Sequence, residues 1–218
     1  MKVVAAVAVA AVTAIGVWVT GGLITNDFTL AMWLTAAWIG LAGLICLAIA
    51  RRWRGLAFAV VGAYLLTAGA LVIYLGRSMF LDDTVNERVV TVEPAPNRSA
   101  PGSSSAEPRN VELGRGAFQP VAHSVRGTAT TIRTAEGENV LTVTGFEVDN
   151  GPDLRVYLVA GPARDEAGVD EFRDLGALKG NKGDQQYELP RGLDLDRYTT
   201  VVIWCRAFSV NFARAPLR

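Results

Sequence analysis

Hydrophobic and polar residues are distributed very unevenly along this chain, and residues 1–76 are overwhelmingly apolar. Three stretches within them contain no charged side chain, and each is long enough to cross roughly 30 Å of hydrocarbon at about 1.5 Å per helical residue. A charge at the centre of a bilayer costs about 3 kcal/mol, so long uncharged stretches favour insertion. We therefore predict three transmembrane helices, over residues of about 3–25, 28–50 and 55–76.

The polar part of the chain begins with a segment of different composition. Residues 77–110 contain four prolines and a run of serines at 103–105. Such a segment buries too little apolar surface to offset the entropy lost on ordering. We predict that it is a flexible Pro/Ser-rich linker, in which a short helix or strand at the membrane surface over residues 82–92 stays open.

From residue 111 to residue 218 the chain contains short segments rich in β-branched residues, separated by Gly, Pro and Asn turn signals. This pattern is typical of an all-β sandwich or barrel. The fold class is therefore a three-helix, all-α transmembrane region followed by an all-β domain. The expected strands cover residues 127–134, 139–148, 153–160, 175–179, 185–189, 199–206 and 208–213.

The strand expected at 199–206 is largely apolar at successive positions. Because neighbouring side chains of a strand point to opposite faces, both of its faces are apolar. We predict a central strand in which Cys205 faces inward or lies just beneath the end of the sheet.

Basic residues indicate how the helices cross the membrane. Lys2 precedes the first helix, and Arg51, Arg52 and Arg54 lie between the second and third helices. The loop between the first and second helices has one charged residue, Asp27, and no basic residue. Basic loops stay in the cytoplasm. We therefore expect a multi-pass membrane protein whose N-terminus is cytoplasmic and whose C-terminal domain is extracytoplasmic. A cleaved signal peptide in place of the first helix leaves that domain on the same side.

Composition excludes several classes of function. The formal net charge is zero, and no dense basic face for nucleic acid is present. The membrane segments contain no histidine to hold a haem between helices, so we expect an anchor without cofactor. Cys46 and Cys205 are the two cysteines, too few for a disulfide framework. The abundance of alanine, valine and arginine is typical of a bacterial protein.

Cys205 is the only cysteine outside the membrane segments, and His123 is the only histidine of the chain. A lone exported thiol is either buried packing or a reactive group, and reactivity requires a thiolate favoured by nearby positive charge. Arg206 or protonated His123 could supply that charge. His123 is either a surface residue without a task or the partner of Cys205. A metal site would need further ligands such as Asp149 or Asp153, and we predict none.

Two motifs carry a resemblance to a known family. They are Leu178-Lys-Gly-Asn-Lys-Gly-Asp-Gln-Gln-Tyr-Glu-Leu-Pro190 and Val202-Ile-Trp-Cys-Arg-Ala-Phe-Ser-Val-Asn-Phe212. Together with shorter matching pieces they resemble the DM13 domain over residues of about 114–217. The resemblance implies a surface β-domain with a proposed electron-transfer role around a lone cysteine, which Cys205 matches. Some DM13 domains occur beside DOMON and cytochrome b561 modules, and this chain has neither.

These observations lead to one functional hypothesis and one alternative. The hypothesis is a membrane-anchored extracytoplasmic DM13-like domain with thiol-based redox or electron transfer at Cys205, with His123 as its partner. The expected partners are the lipid bilayer and either a redox protein or a small-molecule oxidant outside the cytoplasm. The alternative is a non-enzymatic binding or cell-envelope interaction module in which Cys205 only fills the core. Whether the protein is an enzyme stays open.

Overall fold

The fold consists of an N-terminal helical region and a C-terminal domain of two antiparallel sheets, in a computed structural model that describes residues 1–92, 109–163 and 169–218. The predicted fold class is confirmed. The proline-rich and serine-rich part of the expected linker, residues 93–108, lies outside the described residues.

The apolar N-terminal region forms the three expected helices. They are α1 (Lys2–Gly22), α2 (Phe28–Arg52) and α3 (Ala57–Phe80), with a 3₁₀ turn at Arg54–Leu56 before α3. All three are long and apolar enough to cross a membrane. Asp27 caps α2 by accepting a hydrogen bond from the Leu30 amide at 2.8 Å. α3 continues past its expected end at Gly76, with Arg77 in its last turn, where a cation complements the helix dipole.

Aromatic side chains fit against glycines where the helices meet. A Cβ atom added to Gly16 would lie 1.9 Å from the Trp38 ring, and one added to Gly43 would lie 2.8 Å from the Tyr64 hydroxyl. Trp38 also donates from Nε1 to the carbonyl oxygen of Thr13 at 3.3 Å. Small residues that let helices approach closely are typical of membrane interfaces.

Replacing Gly16 by alanine should destabilise the helical region. The added methyl group overlaps the Trp38 ring, and overpacking of this kind costs about 1–3 kcal/mol. Gly40→Ala is the matched control, because a Cβ there meets no atom within 4 Å. Thermal unfolding of the full chain in detergent should show a lower midpoint for Gly16→Ala alone, and equal midpoints would contradict this packing.

The C-terminal domain contains nine strands among the described residues. They are β1 (Val111–Ala117), β2 (Gln119–Pro120), β3 (Val125–Arg133), β4 (Asn139–Val148), β5 (Leu154–Ala160), β6 (Phe172–Ala177), β7 (Lys182–Glu188), β8 (Tyr198–Cys205) and β9 (Val210–Pro216). One sheet has the order β1-β3-β4-β7 and the other β2-β9-β8-β5-β6. β4 has the predicted bounds. β6 and β7 begin earlier than expected. For β7 the reason is that Gly183 lies inside the strand with φ +97° instead of preceding it.

The core of the domain consists of apolar side chains contributed by both sheets. β8 is the third of five strands in its sheet, and the expected central position of this strand is confirmed. In the four-stranded sheet, Leu141 of β4 pairs with Tyr187 of β7, and both side chains are buried. The fully buried apolar residues include Val143, Val156, Leu158, Val201, Val202, Ile203, Phe212 and Ala213.

Residues 82–90, named the strap below, run beside β7 in the region where the sequence predicted a linker. Thr84 forms a parallel bridge with Lys182. The Val85 amide donates to the carbonyl oxygen of Lys182, and the Glu87 amide donates to that of Asp184, each at 2.9 Å. The first part of the expected linker is therefore hydrogen-bonded to the edge of a sheet.

The described chain divides into two compact units. The first comprises Met1–Leu81 with Asn150–Leu154 and Trp204–Val210, and the second comprises the remaining described residues. Cys205 belongs to the first unit and His123 to the second.

Candidate functional site

Cys205 is the last residue of β8 and immediately precedes the turn at residues 206–209 that leads into β9. Its side chain is 0% exposed. The thiol donates a hydrogen bond to the carbonyl oxygen of Pro152 at 3.0 Å. Pro152 lies in the Asn-Gly-Pro-Asp turn before β5, so this turn places a proton acceptor directly at the sulfur.

The thiol is held in its neutral form. Its pKa is raised to about 12, chiefly because burial penalises the thiolate. The backbone N–H groups of Phe208 and Ala207 act in the opposite direction, because they can donate to a thiolate, whereas the carboxylate of Asp153 raises the pKa further. At neutral pH the site therefore contains a neutral thiol, together with two backbone N–H groups that can stabilise the thiolate when it forms.

An ion pair joins the two turns beside the thiol. Arg206 Nε lies 2.6 Å from Asp153 Oδ2, and the Arg206 amide donates to the Asp153 carbonyl oxygen at 3.1 Å. The sequence suggested that Arg206 could favour a thiolate, but its guanidinium pairs with Asp153. Asp153 and Ser209 both adopt the left-handed conformation, at φ +54° and +52°. This conformation costs a non-glycine residue about 1 kcal/mol or more and persists where surrounding contacts impose it.

His123 lies beside a carboxylate in the second unit. Its Nδ1 is 3.5 Å from Asp149 Oδ2, and its ring stacks on Phe212 with centroids 3.8 Å apart. The imidazole side chain is only 16% exposed. Asp149 also accepts from the Ser124 amide at 3.0 Å, which orients its carboxylate. The arrangement is a partly buried histidine–carboxylate pair.

The residues singled out from the sequence fall into two groups. Cys205 lies with Pro152, Asp153 and Arg206, and His123 lies with Asp149. A role for His123 as the partner of Cys205 stays a prediction. Within residues 1–92, 109–163 and 169–218, no three His, Cys, Asp or Glu side chains are grouped closely enough to hold a metal ion.

The sequence analysis missed the backbone groups around the sulfur. The backbone N–H groups of Ala207 and Phe208 cannot be recognised from residue type. Their approximate position could be inferred, because they lie in the turn that follows the apolar strand. The Pro152 carbonyl could have been suspected from the Asn-Gly-Pro-Asp turn, but its contact with Cys205 joins residues 53 positions apart.

Comparison with family models matches residues 117–217 to the family described as Electron transfer DM13. This part of the chain is a DM13 domain. The match contains both His123 and Cys205, and the three apolar helices lie before it. The match and the three apolar helices together fit a membrane-anchored domain of a redox type. No curated protein and no solved structure matches the chain.

The buried thiol of the DM13 domain should resist alkylation at pH values where an ordinary cysteine reacts. Its pKa of about 12 exceeds the ordinary value of 9.0, so the folded protein favours the thiol over the thiolate between these values. Each unit of pKa changes the thiolate fraction about tenfold, and we expect alkylation at least about 100-fold slower in the folded chain than in urea at pH 8.

The measurement uses a Cys46→Ala chain, so that Cys205 is the one remaining thiol. Alkylation is followed by mass spectrometry from pH 7 to pH 11, with the unfolded chain as the control. A titration midpoint near 9 in the folded protein would contradict the environment described for Cys205.

Proposed function

We propose that this protein is a membrane-anchored, extracytoplasmic DM13 domain that takes part in thiol-based electron transfer at Cys205. The observation that supports it most directly is the setting of the one thiol of the DM13 domain, between the Pro152 carbonyl and the N–H groups of Ala207 and Phe208. The carbonyl holds the proton of the resting thiol, and the two donors stabilise the thiolate that reacts.

The proposed chemistry is a two-electron oxidation by hydrogen peroxide. The Cys205 thiol loses its proton to water, and the sulfur attacks one peroxide oxygen. A sulfur–oxygen bond forms while the oxygen–oxygen bond breaks, and the leaving hydroxide takes up a proton to become water. Cys205 is then a sulfenic acid, and the peroxide is reduced.

A dithiol partner protein outside the cytoplasm returns Cys205 to its resting form. One partner thiol condenses with the sulfenic acid, releasing water and forming a mixed disulfide. The second partner thiol attacks that disulfide, which releases the Cys205 thiol and leaves the partner oxidised. The partner thereby carries the two electrons to the site.

Opening of the turn at residues 206–209 is a necessary step, because Cys205 is 0% exposed. The Asp153–Arg206 pair joins this turn to the one before β5, and the Arg206 side chain is 55% exposed. The Asp153 side chain is 14% exposed, and Phe208 of the same turn is buried against Phe28. Opening therefore has to break this pair and release the Phe208 ring, a local movement that leaves the strand pairing of the sheets in place. We call the Asp153–Arg206 pair the latch, because it restrains the turn that covers the thiol.

Arg206→Ala should accelerate oxidation of Cys205 severalfold, because it removes the side-chain latch. We expect this effect to exceed the opposing rise in the thiol pKa from an unpaired Asp153 carboxylate. Arg155→Ala is the matched control, since it removes a similar pair of 2.7 Å with Asp174 on a neighbouring strand. The full chain carrying Cys46→Ala is placed in lipid nanodiscs, exposed to hydrogen peroxide and assayed for one added oxygen on Cys205. Absence of this product in the folded original and latch variants would refute the thiol mechanism.

Extracytoplasmic display should be visible by labelling single cysteines in intact cells. The background is Cys46→Ala with Cys205→Ser, and the introduced residues are Asn26→Cys and Trp53→Cys, both at exposed positions. A membrane-impermeant maleimide should label position 26 in intact cells and position 53 only after permeabilisation, because Arg51–Arg54 is expected in the cytoplasm. The reverse pattern would refute the proposed orientation.

The alternative is a binding or cell-envelope interaction module, and one observation favours it. Cys205 has the complete burial and raised pKa expected of an inert core thiol. In that case Cys205→Ser leaves folding and cellular phenotype unchanged, because a serine hydroxyl can still donate to the Pro152 carbonyl. A loss of peroxide-dependent phenotype in Cys205→Ser cells favours electron transfer instead.

A further inference from the structure

The strap pairs with β7 through its backbone, as an added parallel strand. In addition to the bonds from the Val85 and Glu87 amides, the Lys182 amide donates to the Asp83 carbonyl oxygen at 3.3 Å. The Val90 amide donates to the side-chain oxygen of Gln186 at 2.8 Å. Contacts of this kind extend from Asp83 to Val90, almost the whole strap. The strap therefore covers a β7 edge that is otherwise open to strand pairing.

Two glycines give the strap room. A Cβ atom on Gly180 would lie 2.4 Å from the Asp83 carbonyl oxygen, and one on Gly183 would lie 2.0 Å from that of Val85. Both distances are far below ordinary contact, so a side chain at either position would exclude the strap. The backbone of β7 is thus shaped for close approach by another backbone.

Two lysines form ion pairs with acidic side chains of the strap. Lys179 Nζ lies 2.7 Å from Glu87 Oε1, and Lys182 Nζ lies 2.6 Å from Asp82 Oδ2. The Gln186 amide also donates to Glu87 at 2.8 Å. Hydrogen bonding to the Lys179 ammonium holds the pKa of the Glu87 carboxyl below its ordinary value. The edge therefore favours an extended segment with acidic residues at its first and sixth positions.

Buried amide side chains hold the loop that receives the strap. Gln185 is 0% exposed, accepts from the Lys179 and Gly180 amides at 3.1 and 3.3 Å, and donates to the Gly180 carbonyl at 2.6 Å. Asn181 accepts from the Asp83 amide at 2.7 Å. The receiving residues lie within the DM13 match, whereas the strap lies before it. The edge and the strap therefore come from different parts of the chain.

We propose that the β7 edge is a recognition site for extended acidic peptide segments, and that the strap is its built-in, reversible ligand. Backbone pairing supplies affinity, while Lys179, Lys182 and the two glycines select the sequence, as in other binding by strand addition. The ion pairs are partly exposed, so salt weakens docking. This site is separate from the chemistry proposed for Cys205 and does not depend on it.

Gly180→Ala in the full chain should undock the strap and leave the domain folded. We expect hydrogen-exchange protection of the Val85 and Glu87 amides to fall at least about tenfold, while that of the Val143 amide in β4 is unchanged. Gly40→Ala is the control, because a Cβ atom there meets no atom within 4 Å and the residue is helical rather than left-handed. Unchanged protection of Val85 in Gly180→Ala would overturn the proposal.

A charge variant tests recognition without adding volume. Glu87→Gln should lower the protection of the strap amides and make that protection less sensitive to salt, because one screened ion pair is lost. Glu138→Gln removes a pair with Arg191 at 2.6 Å and should change neither. A peptide Asp-Asp-Thr-Val-Asn-Glu-Arg-Val-Val, added in trans, should bind the Glu87→Gln chain more tightly than the same peptide with Asn and Gln replacing its first Asp and its Glu. Equal binding of the two peptides, or none, would refute selective recognition.

Discussion

The hydrogen bond from the Cys205 thiol to the Pro152 carbonyl is the contact on which the functional account depends. It satisfies the one polar group of a side chain that β8 buries completely, and it joins the turn before β5 to the end of β8. Burial makes the neutral thiol the resting form, so reactivity requires a local opening. Asp153 and Arg206 lie where such an opening has to occur.

Stability and function are thereby separated within the domain. The apolar side chains of β4, β5, β8 and β9 form the core between the sheets, and the turn at residues 206–209 contributes the buried side chain of Phe208. Partly exposed ion pairs are weak compared with this core, and they restrain the turn and the strap. Local movements at either place can therefore occur while the sheets stay paired.

The sequence predicted the elements whose hydrophobic pattern is strong. Three uncharged segments predicted three helices, and apolar residues on both faces of residues 199–206 predicted a central strand. It did not predict the strap, because residues such as Asp82 and Glu87 have the composition of a linker and are held by backbone pairing and ion pairs. Gly180 and Gly183 belong to the turn signals that separate the expected strands, and in the structure they provide space for the strap backbone.

The candidate site was predictable only in part for a related reason. Cys205 and Arg206 could be singled out by residue type, but the backbone groups of Pro152, Ala207 and Phe208 have no sequence signature. The pairing of Arg206 with Asp153 joins positions far apart in the chain, and it changes the expected effect of Arg206 on the thiol. Side-chain identity suggested the chemistry, whereas the burial that raises the pKa of the thiol depends on the packing of the folded domain.

The most direct test of electron transfer at Cys205 is its oxidation state inside living cells. Cells that make the full chain are quenched in acid, free thiols are blocked, and the peptide containing Cys205 is measured by mass spectrometry before and after a brief peroxide challenge. The account predicts a sulfenic acid or mixed disulfide at Cys205 that increases with the challenge and then returns to thiol. A residue that stays fully reduced throughout, while other exported thiols are oxidised, would contradict it.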